Sequence, residues 1–126
     1  DVNFQFFGRS VTDSKGYYFF KTIKPAAYGV RDNWQRPPHI HFKVYRRGFE
    51  DLTTQLYFSG DPLNAKDSIY NNLPEKDRKS VTVYFNLANQ IDSKLAKYIA
   101  DQFGQKRGIE NNSTVGLFDI VINTVV

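Results

Sequence analysis

The 126-residue chain carries a net charge of +4 and is 40% hydrophobic and 16% aromatic, which is enough apolar bulk for the core of one domain. The absence of cysteine excludes disulfides, thiolate zinc sites, iron–sulfur clusters and cysteine nucleophiles. No apolar run approaches the roughly 18 residues of a membrane span, and the basic residues are scattered instead of forming the stripe that nucleic-acid binding needs. We therefore expect neither a membrane nor a nucleic acid as a partner.

The first half of the chain consists of segments typical of strands, separated by turn signals. Aromatic and β-branched residues are concentrated in "YYFFKTI", and the preceding Gly16 can supply the positive φ of a tight turn. In chain order, the predicted elements are a strand over 4–12, a turn over 13–16, a strand over 17–23, an irregular loop over 26–38, a strand over about 39–46, a turn over 48–51 and a strand over 52–59.

The second half of the chain contains more helical signals. Asp61-Pro62 is typical of a short helical turn, with Asp61 as N-cap and proline in the first helical position. Residues 93–103, followed by a glycine, are predicted as a short helix. Residues 79–87 and the alternating "GLFDIVINTVV" at the end are predicted strands. The pattern as a whole predicts an all-β fold, an antiparallel β-sandwich with one or two short helices.

The only two histidines of the chain, His39 and His41, are separated by a single residue in "RPPHIHFKV". The alternation around them predicts a strand, and positions two apart on a strand point to the same face. Both rings could therefore reach one metal ion. Imidazole is the commonest metal ligand among side chains, so a metal site is a reasonable hypothesis, although this spacing does not select the metal. A cupin site would need a Glu three or four residues after the second histidine, where this chain has Val44 and Tyr45.

Three residues near the histidines could contribute to such a site, and each also has an ordinary structural interpretation. Tyr28 could be a core aromatic residue, but its phenolate would be a hard anionic donor that suits ferric iron. Arg36 could be a solvated surface charge, or it could stabilise an anionic substrate beside a metal. Gln55, on the following strand, could be a polar residue on one face of a sheet.

Three ordered segments, "TDSKGYYFFKTIKPAAY", "RPPHIHFKV" and "LTTQLYFSGDP", resemble the intradiol ring-cleavage dioxygenases, the group of protocatechuate 3,4-dioxygenase, catechol 1,2-dioxygenase and hydroxyquinol dioxygenase. The resemblance extends from about Asp1 to Asp67 and includes the closing "GLFDIVI". It implies a transthyretin-like β-sandwich and makes residues 1–126 a catalytic domain. Because the chain starts at Asp1 and has no methionine, we expect a fragment or a processed product that lacks the N-terminal part of that domain.

The resemblance also implies a non-haem Fe(III) cofactor, held in this family by two tyrosinates and two histidines. Residue by residue, Tyr28 matches one tyrosinate, and His39 and His41 match the imidazole ligands. The other tyrosinate corresponds to a position before Asp1. Arg36 matches the arginine that stabilises the substrate as it gains carbanion character, and Gln55 matches a glutamine that lines the pocket.

The implied activity is cleavage of a catechol between its two hydroxyl-bearing carbons, with dioxygen as co-substrate and a cis,cis-muconate as product, in the breakdown of aromatic compounds. The catechol would bind as a dianion and displace the Tyr28 phenolate. Members of the family are commonly dimers or larger, so a homo-oligomer is an expectation. The resemblance favours a cytoplasmic location, with export left open. The alternative function is a non-catalytic β-sandwich that keeps the family framework as a binding or interaction module.

Overall fold

The computed structural model describes residues 6–103 and 112–125. Seven strands and three α-helices are assigned within these ranges, and two short 3-10 helices cover Asn64–Lys66 and Ala88–Gln90. The strands are β1 (Tyr28–Arg31), β2 (Trp34–Arg36), β3 (His39–Val44), β4 (Leu52–Phe58), β5 (Thr82–Val83), β6 (Phe85–Leu87) and β7 (Thr114–Gly116). The α-helices are α1 (Ser68–Asn71), α2 (Glu75–Val81) and α3 (Ser93–Phe103).

The strands form three small sheets, in the orders β1-β2, β3-β4-β5 and β6-β7. Every pairing between these strands is antiparallel except that of β4 with β5, which is parallel and follows a connection through α1 and α2. The prediction of an all-β, mainly antiparallel fold with short helices is therefore confirmed, and the parallel pair is a local exception. No helix in the described part of the chain has the length and apolar character that a membrane span requires.

The pair β3–β4 separates an apolar face from a polar one. Leu56 and Phe58 are buried with Val83 of β5 in the apolar core, against which Ile40 and Phe42 also pack. Because side chains alternate along a strand, the residues between them, including both histidines, point to the opposite face. The predicted strands at 39–46 and 52–59 are confirmed, with their ends shortened to Val44 and Phe58.

Residues 26–38 are not an irregular loop, as predicted, but contain the hairpin β1–β2. Its turn is Asp32-Asn33, and Asn33 has a φ of 64°. Asparagine tolerates this left-handed conformation better than most residues, so a tight turn is possible without glycine. Sequence reasoning missed the hairpin because Gly29 and the two prolines at 37 and 38 are residues typical of loops, and the two strands are short.

The predicted hairpin over residues 4–23 is only partly present. The turn exists, since Asp13 Oδ1 accepts hydrogen bonds from the Lys15 and Tyr17 amides at 2.9 Å and Gly16 has a φ of 85°. However, neither 6–12 nor 17–23 is assigned as a strand, and residues 4 and 5 lie outside the described ranges. High β-propensity does not make a strand unless a neighbouring backbone completes the ladder.

The closing segment shows the same limit of sequence reasoning. From Leu117 to Asn123 its exposure alternates residue by residue, as its pattern predicted. Yet β7 ends at Gly116, and beyond it only an isolated bridge between Phe49 and Thr124 is assigned in the described residues. Alternation reports which side chains face the interior, but it does not report a hydrogen-bonded neighbour.

The remaining elements show mixed agreement with the sequence. Helix α3 covers the predicted residues, and Asp92 Oδ1 caps it by accepting hydrogen bonds from the amides of Lys94 and Leu95 at 3.0 Å. Asp61 likewise accepts a hydrogen bond from the Leu63 amide at 3.0 Å, although the 3-10 helix there begins only at Asn64. The predicted strand over 79–87 is wrong at its start, because α2 continues to Val81 before β5 and β6.

Gly116 provides a test of packing beside the core. A Cβ at this position would lie 2.7 Å from Val83 Cγ1 and 2.9 Å from two ring atoms of Phe85. We expect Gly116→Ala to lower the free energy of unfolding by about 1–3 kcal/mol, because an added methyl group must displace packed side chains. Urea denaturation measures the change. Gly29→Ala is the matched control, since a Cβ there meets nothing within 4 Å; equal stability of both variants would contradict the packing described here.

Candidate metal centre

The two antiparallel hairpins bring all five predicted site residues to one region. In β1–β2, Tyr28 is paired with Arg36, so the turn at Asn33 places them side by side. In β3–β4, His39 is paired with Tyr57 and His41 with Gln55. Cross-strand partners share a face of the sheet, and therefore these four side chains lie together on the polar face.

The rings of Tyr28 and His41 both lie close to the ring of His39. The ring centroids of His39 and His41 are 4.9 Å apart, and those of Tyr28 and His39 are 5.6 Å apart. His39 is buried, whereas His41 is exposed and Tyr28 is 48% exposed. The cluster is thus anchored on its inner side by His39 and open to solvent on its outer side, where a small molecule could approach.

The hydrogen bonds of His39 define its tautomer. Nδ1 lies 2.8 Å from the carbonyl oxygen of Pro37, which can only accept, and Nε2 lies 3.2 Å from Nη1 of Arg36, which can only donate. Nδ1 therefore carries the proton, and the lone pair of Nε2 accepts the hydrogen bond from Arg36. Burial lowers the pKa of His39, and the charge of Arg36 and the neighbouring His41 act in the same direction against the Pro37 hydrogen bond. The ring is consequently neutral at neutral pH, as a metal ligand must be.

Arg36 is not the surface charge of its ordinary interpretation, because only 4% of it is exposed. Its guanidinium donates from Nε to Asp67 Oδ1 at 3.1 Å and from Nη2 to Asp67 Oδ2 at 3.0 Å. Nη2 also lies 2.8 Å from Gln55 Oε1 and 2.8 Å from the Tyr57 hydroxyl. Although burial disfavours the charge, the hydrogen bonds and carboxylate of Asp67 raise the pKa of Arg36. The residue is a fixed cation at the edge of the cluster.

Two residues of this network, Tyr57 and Asp67, were missed by sequence reasoning. The Tyr57 hydroxyl donates a hydrogen bond to Asp67 Oδ2 at 3.0 Å, and Asp67 is fully buried, with 0% of its surface exposed. Burial and the adjacent carboxylate raise the pKa of Tyr57 to about 12, so it stays a neutral phenol. A signal for Tyr57 existed, since it lies two positions after Gln55 on the same strand. Asp67 gave none, because its partner Arg36 is distant in sequence.

The donor set is compatible with a transition-metal ion such as iron. Within the described ranges, no group of three or more His, Cys, Asp or Glu side chains is arranged to hold a metal, so Tyr28 would have to complete a set with the two histidines. A tyrosine oxygen and two imidazole nitrogens are ligands of the types that iron binds in proteins. The His39 Nδ1–H to Pro37 contact is also the type of outer hydrogen bond that fixes a ligating imidazole.

The buried network predicts that the protein becomes less stable as the pH decreases. Although burial opposes ionisation, hydrogen bonds from Arg36 and Tyr57 lower the pKa of Asp67 below 3.8, and His39 is held below 6.5. Both groups bind protons less tightly when folded, so the unfolded chain gains more protons as the pH falls. We expect the free energy of unfolding of the metal-free protein to decrease as the pH is lowered, first over the range in which His39 gains a proton and then over the range in which Asp67 does. Urea titrations between about pH 7 and pH 3 measure this, and an unchanged stability would contradict it.

The fold and site define a class of protein in which a β-sandwich face presents a tyrosine, two histidines and a buried arginine. Residues 1–105 match the family Dioxygenase_C, described as "Dioxygenase". The chain belongs to the intradiol ring-cleavage dioxygenase family, as its motifs predicted.

Named relatives and a solved structure agree with this assignment. The chain is 47% identical over 90 residues to the protocatechuate 3,4-dioxygenase beta chain of Burkholderia cepacia, a match covering 69% of this chain and 38% of that one. It is 42% identical over 67 residues to a chlorocatechol 1,2-dioxygenase of Pseudomonas putida, covering 42% and 25% of the two chains. The structure of catechol 1,2-dioxygenase from Acinetobacter sp. ADP1 inhibited by bound mercury superposes with a TM-score of 0.65 at 26% identity, covering 91% of this chain and 37% of that one. The chain therefore spans well under half the length of these relatives.

Proposed function

We propose that this chain forms the ferric centre of an intradiol dioxygenase that cleaves a catechol between its two hydroxyl-bearing carbons and releases a cis,cis-muconate. The observation that supports the proposal is the convergence of Tyr28, His39 and His41 beside the buried charge of Arg36. Membership of the family gives this convergence its chemical meaning. The substrate, the metal and the activity of the whole protein are all parts of the proposal.

The residues that would hold the metal are Tyr28 through its phenolate oxygen, His41 through its ring and His39 through Nε2, where the metal would replace the hydrogen bond from Arg36. The second tyrosinate that the resemblance implies corresponds to no position in these 126 residues. Bound ferric iron would supply Lewis acidity that makes the catecholate reactive towards dioxygen. No external reductant is needed, because both oxygen atoms enter the product.

The protein's own residues then have separable roles. Tyr28 is half exposed and so accessible to an entering catechol, and as a metal-bound phenolate it would take a proton from a catechol hydroxyl. Arg36 presents a fixed positive charge where the ring gains negative charge, and its network prevents the guanidinium from swinging away. Gln55 is held through its Oε1 by Arg36 Nη2, so its side chain lies at the wall beside His41.

The second candidate function is a non-catalytic binding module built on the same framework. It is favoured by one observation, namely that Nε2 of His39, a proposed metal-binding atom, accepts a hydrogen bond from Arg36 Nη1 at 3.2 Å and is thus engaged by the protein itself. Such a module would bind no iron and would give no product. The retained histidine pair and the buried Arg36 favour the enzyme, because a binding module does not need them.

Isotope labelling of the product tests the proposed reaction. Iron-loaded protein is incubated with catechol, protocatechuate or hydroxyquinol under oxygen-18 gas, and the product is analysed by mass spectrometry. We expect the corresponding muconate from at least one catechol, with both atoms of one dioxygen molecule in its two carboxyl groups. No product from any of the three, or cleavage next to the hydroxyl-bearing carbons instead of between them, would reject the proposed function.

A further inference from the structure

Asp67 holds the guanidinium of Arg36 by one edge. Its two carboxylate oxygens accept from Nε at 3.1 Å and from Nη2 at 3.0 Å, a two-point contact that fixes both distance and plane. The pair is deeply buried, with side-chain exposures of 5% for Arg36 and 0% for Asp67. An arginine held in this way cannot rotate without breaking both bonds.

The carboxylate is itself fixed from two further directions. Its Oδ2 accepts from the Tyr57 hydroxyl at 3.0 Å, on strand β4, and from the Tyr70 amide at 3.3 Å, in the first turn of α1. Asp67 is the N-cap of α1, so its backbone is anchored by that helix. The orientation of the carboxylate is thus set by the fold and not by Arg36 alone.

The two-point contact leaves the opposite edge of the guanidinium for the cluster. Since Nε and Nη2 are occupied by Asp67, Nη1 is the nitrogen that lies 3.2 Å from His39 Nε2, beside the ligand atom of the candidate metal centre. We propose that Asp67 is a positioning residue that sets the direction in which Arg36 presents its charge to the substrate. The effect of Asp67 on catalysis rests on the proposed function, whereas the hydrogen bonds between Asp67 and Arg36 are independent of it.

Substitution of Asp67 tests this role against a matched control. Asp67→Asn keeps the size of the side chain but removes the charge and one acceptor. We expect ring-cleavage kcat to fall by about 10–100-fold, the range typical of outer hydrogen-bond partners, with little change in KM and with iron retained. Asp92→Asn is the control, because Asp92 also caps a helix, α3, but is exposed and lies outside the cluster; its kcat should equal that of the wild type.

A double-mutant cycle separates positioning from a general structural effect. If Asp67 acts through Arg36, then Asp67→Asn should change kcat by less than about 3-fold in an Arg36→Lys background, although it changes kcat strongly in the wild type. A loss of the same size in both backgrounds would mean that Asp67 does not act through Arg36, and it would overturn the proposal.

The Nε–H signal of Arg36 in arginine-labelled, metal-free protein gives a readout that does not depend on activity. Because this hydrogen is buried and bonded to Asp67, it should exchange slowly with solvent in the wild type and in Asp92→Asn, and at least about 10-fold faster in Asp67→Asn. Slow exchange in a wild type that cleaves no catechol would reject the proposed function but keep the positioning. Unchanged exchange and unchanged kcat in Asp67→Asn would reject the positioning.

A second variant decides the case if Asp67→Asn does not fold. Tyr57→Phe keeps the aromatic ring and both charges and removes the hydroxyl that contacts both Asp67 Oδ2 and Arg36 Nη2. We expect this variant to lower kcat by about 3–10-fold and to speed exchange of the Arg36 Nε–H, since the carboxylate loses one of the hydrogen bonds that fix its orientation. If both quantities matched those of the wild type, the fixed orientation of the carboxylate would be irrelevant to Arg36 and the proposal would be wrong.

Discussion

Replacing His41 with alanine is expected to remove bound iron and the visible colour of the protein together, while leaving the fold intact. His41 is exposed and contributes no core contact, so its loss should change the free energy of unfolding little. The ring nevertheless supplies one of the three proposed ligands. Even outer partners of metal ligands change affinity by about 10–100-fold, and a ligand itself should cost more than about 100-fold. Iron content after gel filtration measures the effect.

Lys43→Ala is the matched control for His41→Ala. Lys43 lies two positions further along β3, on the same face, and is likewise exposed. It should retain iron at the wild-type level. Equal iron binding by His41→Ala and Lys43→Ala would show that His41 is not a ligand, even though its ring lies 4.9 Å from that of His39.

Arg36→Lys is expected to retain iron and colour and to cleave catechols at least about 100-fold more slowly, the scale of losing one preorganised electrostatic donor. Lysine keeps a positive charge but has no planar fork, so it cannot hold both oxygens of Asp67 while facing His39. The charge would remain near the site without a fixed direction. Steady-state kinetics of ring cleavage, together with iron analysis of the same sample, measure the two roles separately.

Arg31→Lys controls for a general effect of changing an arginine in the hairpin. Arg31 lies on β1 and is exposed. Its Cζ lies 5.4 Å from the centroid of the Trp34 ring, so its contact is with Trp34 and not with the candidate metal centre. Its rate should equal that of the wild type. If a folded, iron-bearing Arg36→Lys variant also cleaved at the wild-type rate, the catalytic role proposed for Arg36 would be wrong despite its burial.

The part of the site that sequence could predict is the part encoded within one or two strands. The alternation around His39 and His41 is enough to predict a strand and to place both rings on one face, and the structure has β3 there. Gln55 is found across from His41 because β4 follows after a short turn. These are local relationships, and strand periodicity describes them well.

The parts that could not be predicted depend on contacts between distant segments. Tyr28 and Arg36 meet because a tight turn at Asn33 pairs β1 with β2, in a stretch whose composition resembles a loop. The pairing of Arg36 with Asp67 depends on how the connection after β4 folds back, which no local pattern encodes. Conversely, the strongly β-prone "YYFFKTI" forms no strand among the described residues, because propensity cannot supply a partner backbone.

The measurement that tests the central claim most directly is a ferric titration followed by visible absorption. Because a tyrosinate bound to ferric iron absorbs visible light, the protein should turn reddish and saturate at one iron per chain. The Tyr28→Phe variant should bind iron more weakly and lose absorbance, since it lacks the phenolate oxygen beside His39. A wild-type protein that stays colourless and binds no iron would contradict the ferric centre of Tyr28, His39 and His41 and would favour the binding module.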